Sequence, residues 1–145
     1  MAVVRDILAR KGSEVVTAAP EDSVLEAAQR MNARSIGALP VLQDGQLLGI
    51  FTERDLMRRV VAEGRDPART ALRDVMTTSP VTATPATTID QCGALMTEQR
   101  IRHLPVLSPD AGLLGIVTIG DLLAFQLADQ AITIAQLNSY VYDNR

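Results

Sequence analysis

Apolar positions along this chain fall into two rhythms, one helical and one strand-like, and the same order of rhythms occurs twice. Val24, Ala27, Ala28 and Met31 recur at three- and four-residue spacing, which lays one apolar stripe along a helix. Ser23 precedes the stripe and Glu26 follows three residues on, the pair of a capping box in which each side chain serves the other's backbone N–H. The pattern then changes to short unbroken runs. Residues 38–42 and 47–52, separated by Asp44 and Gly45, predict a β-hairpin around a tight turn. The continuous apolar stretch 47–51 predicts a strand covered on both faces, as helix-on-sheet packing requires. A helix from Glu53 to about Glu63 follows, stopped by Gly64, and residues 64–69 with Pro67 form a linker. Ahead of all this, a short helix ends near Gly12 and residues 15–17 read as a strand broken by Pro20.

The second half repeats the order. Residues 16–42 align with 81–107 at a shift of 65. After a one-residue insertion, residues 47–56 (LLGIFTERDL) align with 113–122 (LLGIVTIGDL), with seven of ten positions identical. The matching elements are a helix opened by Thr88 and Gln91, strands at 103–107 and 113–118 around a turn at 110–112, and a helix from Ile119 to about Ala128. Val4-Arg5-Asp6-Ile7 also corresponds to Leu72-Arg73-Asp74-Val75. A unit of roughly 65 residues present twice is a duplication whose halves must share one core; solenoids are built from more numerous, shorter units. The boundary is expected near residue 66, giving repeats at 1–66 and 67–145. In the final stretch, Thr133 as a cap before Ile134, Leu137 and Val141 predicts one more amphipathic helix, with Tyr140 and Tyr142 packing on a partner subunit or on the module itself.

Composition narrows the function. With 145 residues, of which 47% are hydrophobic, the chain suits one compact unit, and a net charge of -3 gives no electrostatic footprint for nucleic acid. The single cysteine, Cys92, has no internal disulfide partner; it corresponds to Ala27 and is expected to be a buried core thiol. No zinc-type Cys/His spacing occurs, no P-loop and no GxGxxG, so neither a metal nor catalysis on nucleotides is expected. No secretory signal and no apolar run of about 20 residues is visible, so a cytoplasmic protein off the membrane is expected.

The order strand, helix, Leu-Pro-Val strand, hairpin, then Gly-Ile-x-Thr-x-x-Asp opening a helix resembles the CBS repeat. The signature stretches are Gly49-Ile50-Phe51-Thr52-Glu53-Arg54-Asp55 and Gly115-Ile116-Val117-Thr118-Ile119-Gly120-Asp121, each preceded by Leu-Pro-Val-Leu. The resemblance implies an α/β tandem CBS pair, or Bateman module, whose β-α-β-β-α repeats are related by a pseudo-twofold axis and pack through their sheets, leaving two related clefts. It also implies that those clefts take adenosine-containing ligands such as AMP, ADP, ATP or NAD(H), and that the chain is a homodimer.

Elementary chemistry agrees with such a site. A Thr at a helix entrance offers a hydroxyl beside free N–H groups at the positive end of the helix dipole, and an ionised Asp is an acceptor able to hold both hydroxyls of a ribose. By resemblance, Asp55 and Asp121 read ribose, Thr52 and Thr118 contact ribose or phosphate, and Arg102 and His103 contact phosphate. Arg54 adds a phosphate donor at the first helix entrance, where the second has Gly120 and a bare backbone approach. Adenine is implied beside Thr17, Ala18 and Ala19 with Ile36, Gly37, Ala38 and Leu39, and beside Thr82, Ala83 and Thr84 with Ile101 and Leu104. Each Thr-x-x-Asp also reads as an ordinary helix cap with an acid in the first turn. The expected function is a non-enzymatic adenine-nucleotide sensor that rearranges on binding and acts on a separate effector protein. The alternative is a ligand-free dimeric scaffold for protein contacts.

Overall fold

A computed structural model describes residues 1–12 and 14–129; the C-terminal helix expected around Thr133, Ile134, Leu137 and Val141, with Tyr140 and Tyr142, lies outside them. In chain order the elements are α1 (Val4–Lys11), α2 (Val24–Arg34), β1 (Ala38–Gln43), β2 (Gln46–Thr52), α3 (Glu53–Asp55), α4 (Leu72–Val75), β3 (Thr77–Thr78), α5 (Ile89–Gln99), β4 (His103–Ser108), β5 (Gly112–Thr118) and α6 (Ile119–Asp129). Each half thus carries helix, hairpin and helix, with β1–β2 and β4–β5 antiparallel. The two hairpins share a register, Ala38 opposite Thr52 and His103 opposite Thr118, and an irregularity at the same place, Val41/Leu42 and Val106/Leu107. Asp44 and Gly45 take φ of 52° and 78°, the left-handed pair of a primed hairpin turn. β2 and β5 meet between the halves, so the repeats pack through their sheets.

Local chemistry sets the helix ends. The Thr88 hydroxyl accepts from the Gln91 N–H at 3.0 Å while the Gln91 side chain accepts from the Thr88 N–H at 2.9 Å, a full capping box. In the first half only one arm of the box forms. Ser23 accepts from the Glu26 N–H at 3.1 Å, but the Glu26 carboxylate takes the Ser23 hydroxyl at 3.2 Å instead of the backbone N–H. Helices α2 and α5 both end on a left-handed residue, Ser35 and Arg100.

Two expectations change. Residues 15–17 do not form a strand: only Ala18 bridges to β1, donating to the Pro40 carbonyl and accepting from the Leu42 N–H, both at 2.9 Å. The next ladder bond would need an N–H on Pro40, which has none, so the pairing stops after one residue. Ala83 repeats this against Pro105 and Leu107. The helix after β2 is also irregular. From α3 the chain continues into a π-helical stretch, Leu56–Val61, with the Ala62 N–H donating to the Met57 carbonyl.

In place of the one shared core expected from the duplication there are two, and the halves exchange their leading helices between them. One core joins Val24, Ala27, Met31, Leu39, Val41, Phe51 and Val60 with Leu72, Val75 and Met76 from α4 and its end. The other joins Ile89, Cys92, Met96, Leu104, Val106, Val117 and Leu122 with Val4 and Ile7 from α1. Backbone bonds seal each exchange: the Leu72 N–H donates to Asp22 and the Arg73 N–H to Pro20, just as the Val4 N–H donates to Thr87 and the Arg5 N–H to Pro85. Burying these two apolar faces drives the halves together as one unit. Among the described residues no helix is long and apolar enough to cross a membrane.

Candidate functional site

The Thr52 turn is where the first hairpin hands over to its helix. The Thr52 hydroxyl accepts from the Asp55 N–H at 3.2 Å and Asp55 Oδ2 accepts from the Thr52 N–H at 3.1 Å, so capping is part of its work. The Glu53 N–H donates to the Gly37 carbonyl at 3.0 Å, which pins the helix entrance to the segment before β1. Asp55 is buried, accepts from the Thr77 hydroxyl at 3.1 Å and lies 3.7 Å from the Arg59 guanidinium. These contacts hold its carboxylate in place.

This turn forms one wall of a cleft of about 970 Å³ between the repeats. The first repeat contributes Gly37, Ile50, Thr52, Glu53, Arg54, Asp55, Arg58 and Arg59; β3 and the segment after it contribute Thr77, Ser79, Pro80 and Val81; the rest of the second repeat contributes Met96, Thr97, Gln99, Arg100, Ile101, Arg102, His103 and Ile119. Five of these residues are arginines against two carboxylates, Glu53 and Asp55. A chain of net charge -3 therefore concentrates positive charge in this cleft. Arg54 donates to the Arg100 carbonyl at 3.0 Å, tying the repeats across the cleft, and Arg59 donates to the Met76 carbonyl at 2.8 Å. Arg58, Arg100 and Arg102 have no ion-pair partner among the described residues.

His103 lines the cleft half-buried, with Nε2 3.3 Å from where a Cβ on Gly37 would stand and Glu53 Oε1 3.2 Å from the same point. Burial pushes its imidazole below the ordinary value. Glu53 pulls it back up, Lys11 and Arg102 push it further down, and Asp121 pulls up. The residue thus feels charges from both repeats.

The equivalent turn of the second half has the same skeleton and different company. The Thr118 hydroxyl accepts from the Asp121 N–H at 3.0 Å, and Asp121 Oδ2 accepts from the Thr118 N–H at 2.9 Å. Asp121 Oδ2 also receives the Lys11 ammonium at 2.7 Å, and the same ammonium donates to the Ile116 carbonyl at 2.8 Å.

Of the residues singled out from sequence, the cleft gathers Thr52, Arg54, Asp55, Arg102, His103, Gly37 and Ile101. Thr118, Gly120 and Asp121 lie at the second turn, outside it. The residues expected around adenine are mostly engaged elsewhere. Leu39 and Leu104 are fully buried in the two cores, Ala38 is buried, and Ile36 packs against the first core. Ala18 and Ala83 spend both backbone groups on β1 and β4. The Thr17 carbonyl accepts from Arg30, the Ala19 N–H donates to Asp22, and the Thr84 N–H donates to Thr87. Thr82 is half-buried and does not line the cleft. The backbone strip facing the cleft is instead Ser79, Pro80 and Val81. Sequence reasoning missed Arg58 and Arg59, though they follow Arg54 and Asp55 by one helical turn and so share their face. Thr77, Ser79 and Pro80 were out of its reach, because only the exchange of α4 brings them there. Cys92 is buried, with its thiol pushed upward by desolvation, and among the described residues no His/Cys/Asp/Glu cluster suits a metal.

Comparison with known proteins gives a consistent result. The CBS domain profile matches residues 4–62 and again 72–128. The chain is 34% identical over 138 residues to the CBS domain-containing protein YhcV of Bacillus subtilis, covering 95% of each. A putative signal-transduction protein with CBS domains from Burkholderia ambifaria has a solved structure with a TM-score of 0.85 at 39% identity, over 92% of this chain and 99% of that one. The CBS domain pair of protein MJ0100, solved in complex with 5′-methylthioadenosine and S-adenosyl-L-methionine, matches with a TM-score of 0.78 at 26% identity, over 89% of this chain and 98% of that one.

Proposed function

Since this chain belongs to the CBS-domain family and carries the domain as a tandem pair, we propose that it is a regulatory module that binds a phosphate-bearing adenine nucleotide in the cleft between its repeats. The observation that carries this reading is the company of Asp55: a carboxylate suited to ribose hydroxyls, set among Arg54, Arg58, Arg59, Arg100 and Arg102 in a cleft of about 970 Å³. The MJ0100 pair was solved with 5′-methylthioadenosine and S-adenosyl-L-methionine, which carry no phosphate. Five guanidiniums with no matching surplus of acid favour an anion instead, so AMP, ADP, ATP or NAD(H) fits this cleft better.

Because the cleft's walls come from both repeats, a nucleotide bound there favours one relative arrangement of the repeats over others. That differential affinity is the means by which it acts on a partner. The module acts without catalysis and works through a separate effector protein. Its own oligomeric partner is a second copy. Met57 and Val61 after α3, and Ile119 and Leu123 on α6, are 54%, 66%, 52% and 50% exposed, an apolar surface on the corresponding helices of both repeats.

A melting-temperature panel with AMP, ADP, ATP, NAD and NADH, and with adenosine as the phosphate-free control, tests the reading. A nucleotide at about 100 times its dissociation constant adds about 2.7 kcal/mol to stability and raises the melting temperature. No shift with any of the five, from protein free of carried-through nucleotide, would favour the dimeric scaffold.

A further inference from the structure

The two halves treat their signature aspartates differently, and the cause is the length of one helix. α4 is four residues long; after Met76 the chain turns extended, and β3 pairs along β2 with Thr78 opposite Gly49 and Thr77 opposite Ile50. The β-branched pair Thr77-Thr78 and then Pro80 disfavour any further helix. α1, its counterpart in the exchange, continues through Leu8-Ala9-Arg10-Lys11, residues with strong helix preference, for eight residues in all. The extra turn lies over β5, where a Cβ on Gly115 would stand 3.1 Å from Leu8. It brings the Lys11 ammonium onto Asp121 and the Ile116 carbonyl. By the internal alignment those groups are the equivalents of Asp55 and Ile50, both of which line the open first cleft. Next to Lys11, the Arg10 guanidinium lies 4.7 Å over the ring of Phe125, which stands where the first half has Arg59.

We propose that Lys11 is an internal occupant of the second site, so that the chain takes up ligand on one side only. This rests on the reading of Asp55 and Asp121 as ribose acceptors. Asp121 Oδ2 already accepts from the Thr118 N–H and the Lys11 ammonium, which fills its two acceptor positions, so a ribose hydroxyl can take that oxygen only by displacing Lys11. Every arginine of the first cleft is also absent from the second. Arg54, Arg58 and Arg59 correspond to Gly120, Ala124 and Phe125, and Arg100 and Arg102 to Ser35 and Gly37. The second side thus has an ammonium on its sugar carboxylate and, in place of five arginines, only Arg10 and Lys11 itself. Lys11 is the residue that determines this asymmetry at the sugar.

The test uses the full chain and calorimetry. Wild-type protein is expected to bind one ATP per chain, with affinity unchanged by Asp121→Ala and lost with Asp55→Ala. With ATP saturating the first cleft, adenosine is then titrated into wild type, Lys11→Ala and the double variant Lys11→Ala/Asp121→Ala. Lys11 is an exposed position at a helix end, and the variant's fold is checked by its melting temperature. The expected result is uptake of one adenosine per chain by Lys11→Ala alone. No adenosine uptake by Lys11→Ala, while wild type still binds ATP, overturns the proposal and leaves the nucleotide reading standing. A second, Asp121-dependent equivalent of ATP on wild type overturns it as well, since Lys11 would then be a ligand contact. No ATP binding by wild type removes the reading and the proposal together.

Discussion

A Cβ placed on Gly49 would stand 2.5 Å from the backbone carbonyl oxygen of Thr77 and 3.0 Å from the Met76 sulfur. The strand β3 can lie along β2 only because that position has no side chain. Gly49→Ala is therefore expected to push β3 away and destabilise the protein by about 1–3 kcal/mol. Gly93, on α5, would place a Cβ with nothing within 4 Å. Gly93→Ala is expected to stabilise by about 0.5–1 kcal/mol, since alanine holds a helix better than glycine. Denaturant unfolding of both variants checks the pair, and equal effects would contradict the placement of β3.

The lone cysteine is structural. Cys92 is fully buried in the second core, at the place where the first half has Ala27. Cys92→Ala is expected to cost little, whereas Cys92→Ser buries an unpartnered hydroxyl and is expected to cost about 1–3 kcal/mol. A thiol reagent should modify the native protein no faster than global unfolding allows. Fast, stoichiometric modification would show the thiol to be accessible.

His103 makes stability depend on pH in a definite direction. Because burial holds the folded imidazole below its ordinary value, the unfolded chain binds more protons between the two. The stability His103 contributes is complete above about pH 6.5 and is lost as pH falls through the folded value. Unfolding free energies of wild type and His103→Gln are measured from about pH 5 to 8 to isolate this. The wild-type advantage is expected to shrink on the acid side, and a difference that grows there would reverse the assignment.

The proposed self-association rests on the exposed apolar positions on corresponding helices. Val61→Glu or Leu123→Glu is expected to convert a dimer into a monomer in sedimentation experiments while leaving the melting of each chain cooperative. An unchanged dimer in both variants would place the interface elsewhere.

Much of this architecture is legible in the residues because the duplication states each element twice. Two hairpins with one register, and two helices that open on Thr or Ser with an acceptor three residues on, follow from local spacing. The strand expected at 15–17 fails for a reason also present in the sequence: the Leu-Pro-Val motif puts a residue without N–H on the edge that such a strand would need. The exchange of α1 and α4 is not local, and no spacing within one half announces it. For that reason Thr77, Ser79 and Pro80 at the cleft, and Lys11 at Asp121, escaped sequence reasoning, while Thr52, Arg54, Asp55, Arg102 and His103, all singled out from sequence, line the cleft. The expected backbone strip at 82–84 lies just downstream of the one that faces the cleft, because Ala83 is committed to its bridge with Val106.

The central claim is that the arginine-lined cleft around Asp55 reads a nucleotide by its sugar and its phosphates together. Calorimetric titration of ATP and of adenosine into wild type, Asp55→Ala and Arg102→Ala tests it most directly. The account predicts saturable ATP binding to wild type, adenosine weaker by at least about tenfold, equal to about 1.4 kcal/mol, and loss or strong weakening of ATP in both variants. Adenosine bound as tightly as ATP, or ATP binding untouched by either substitution in folded protein, would contradict it.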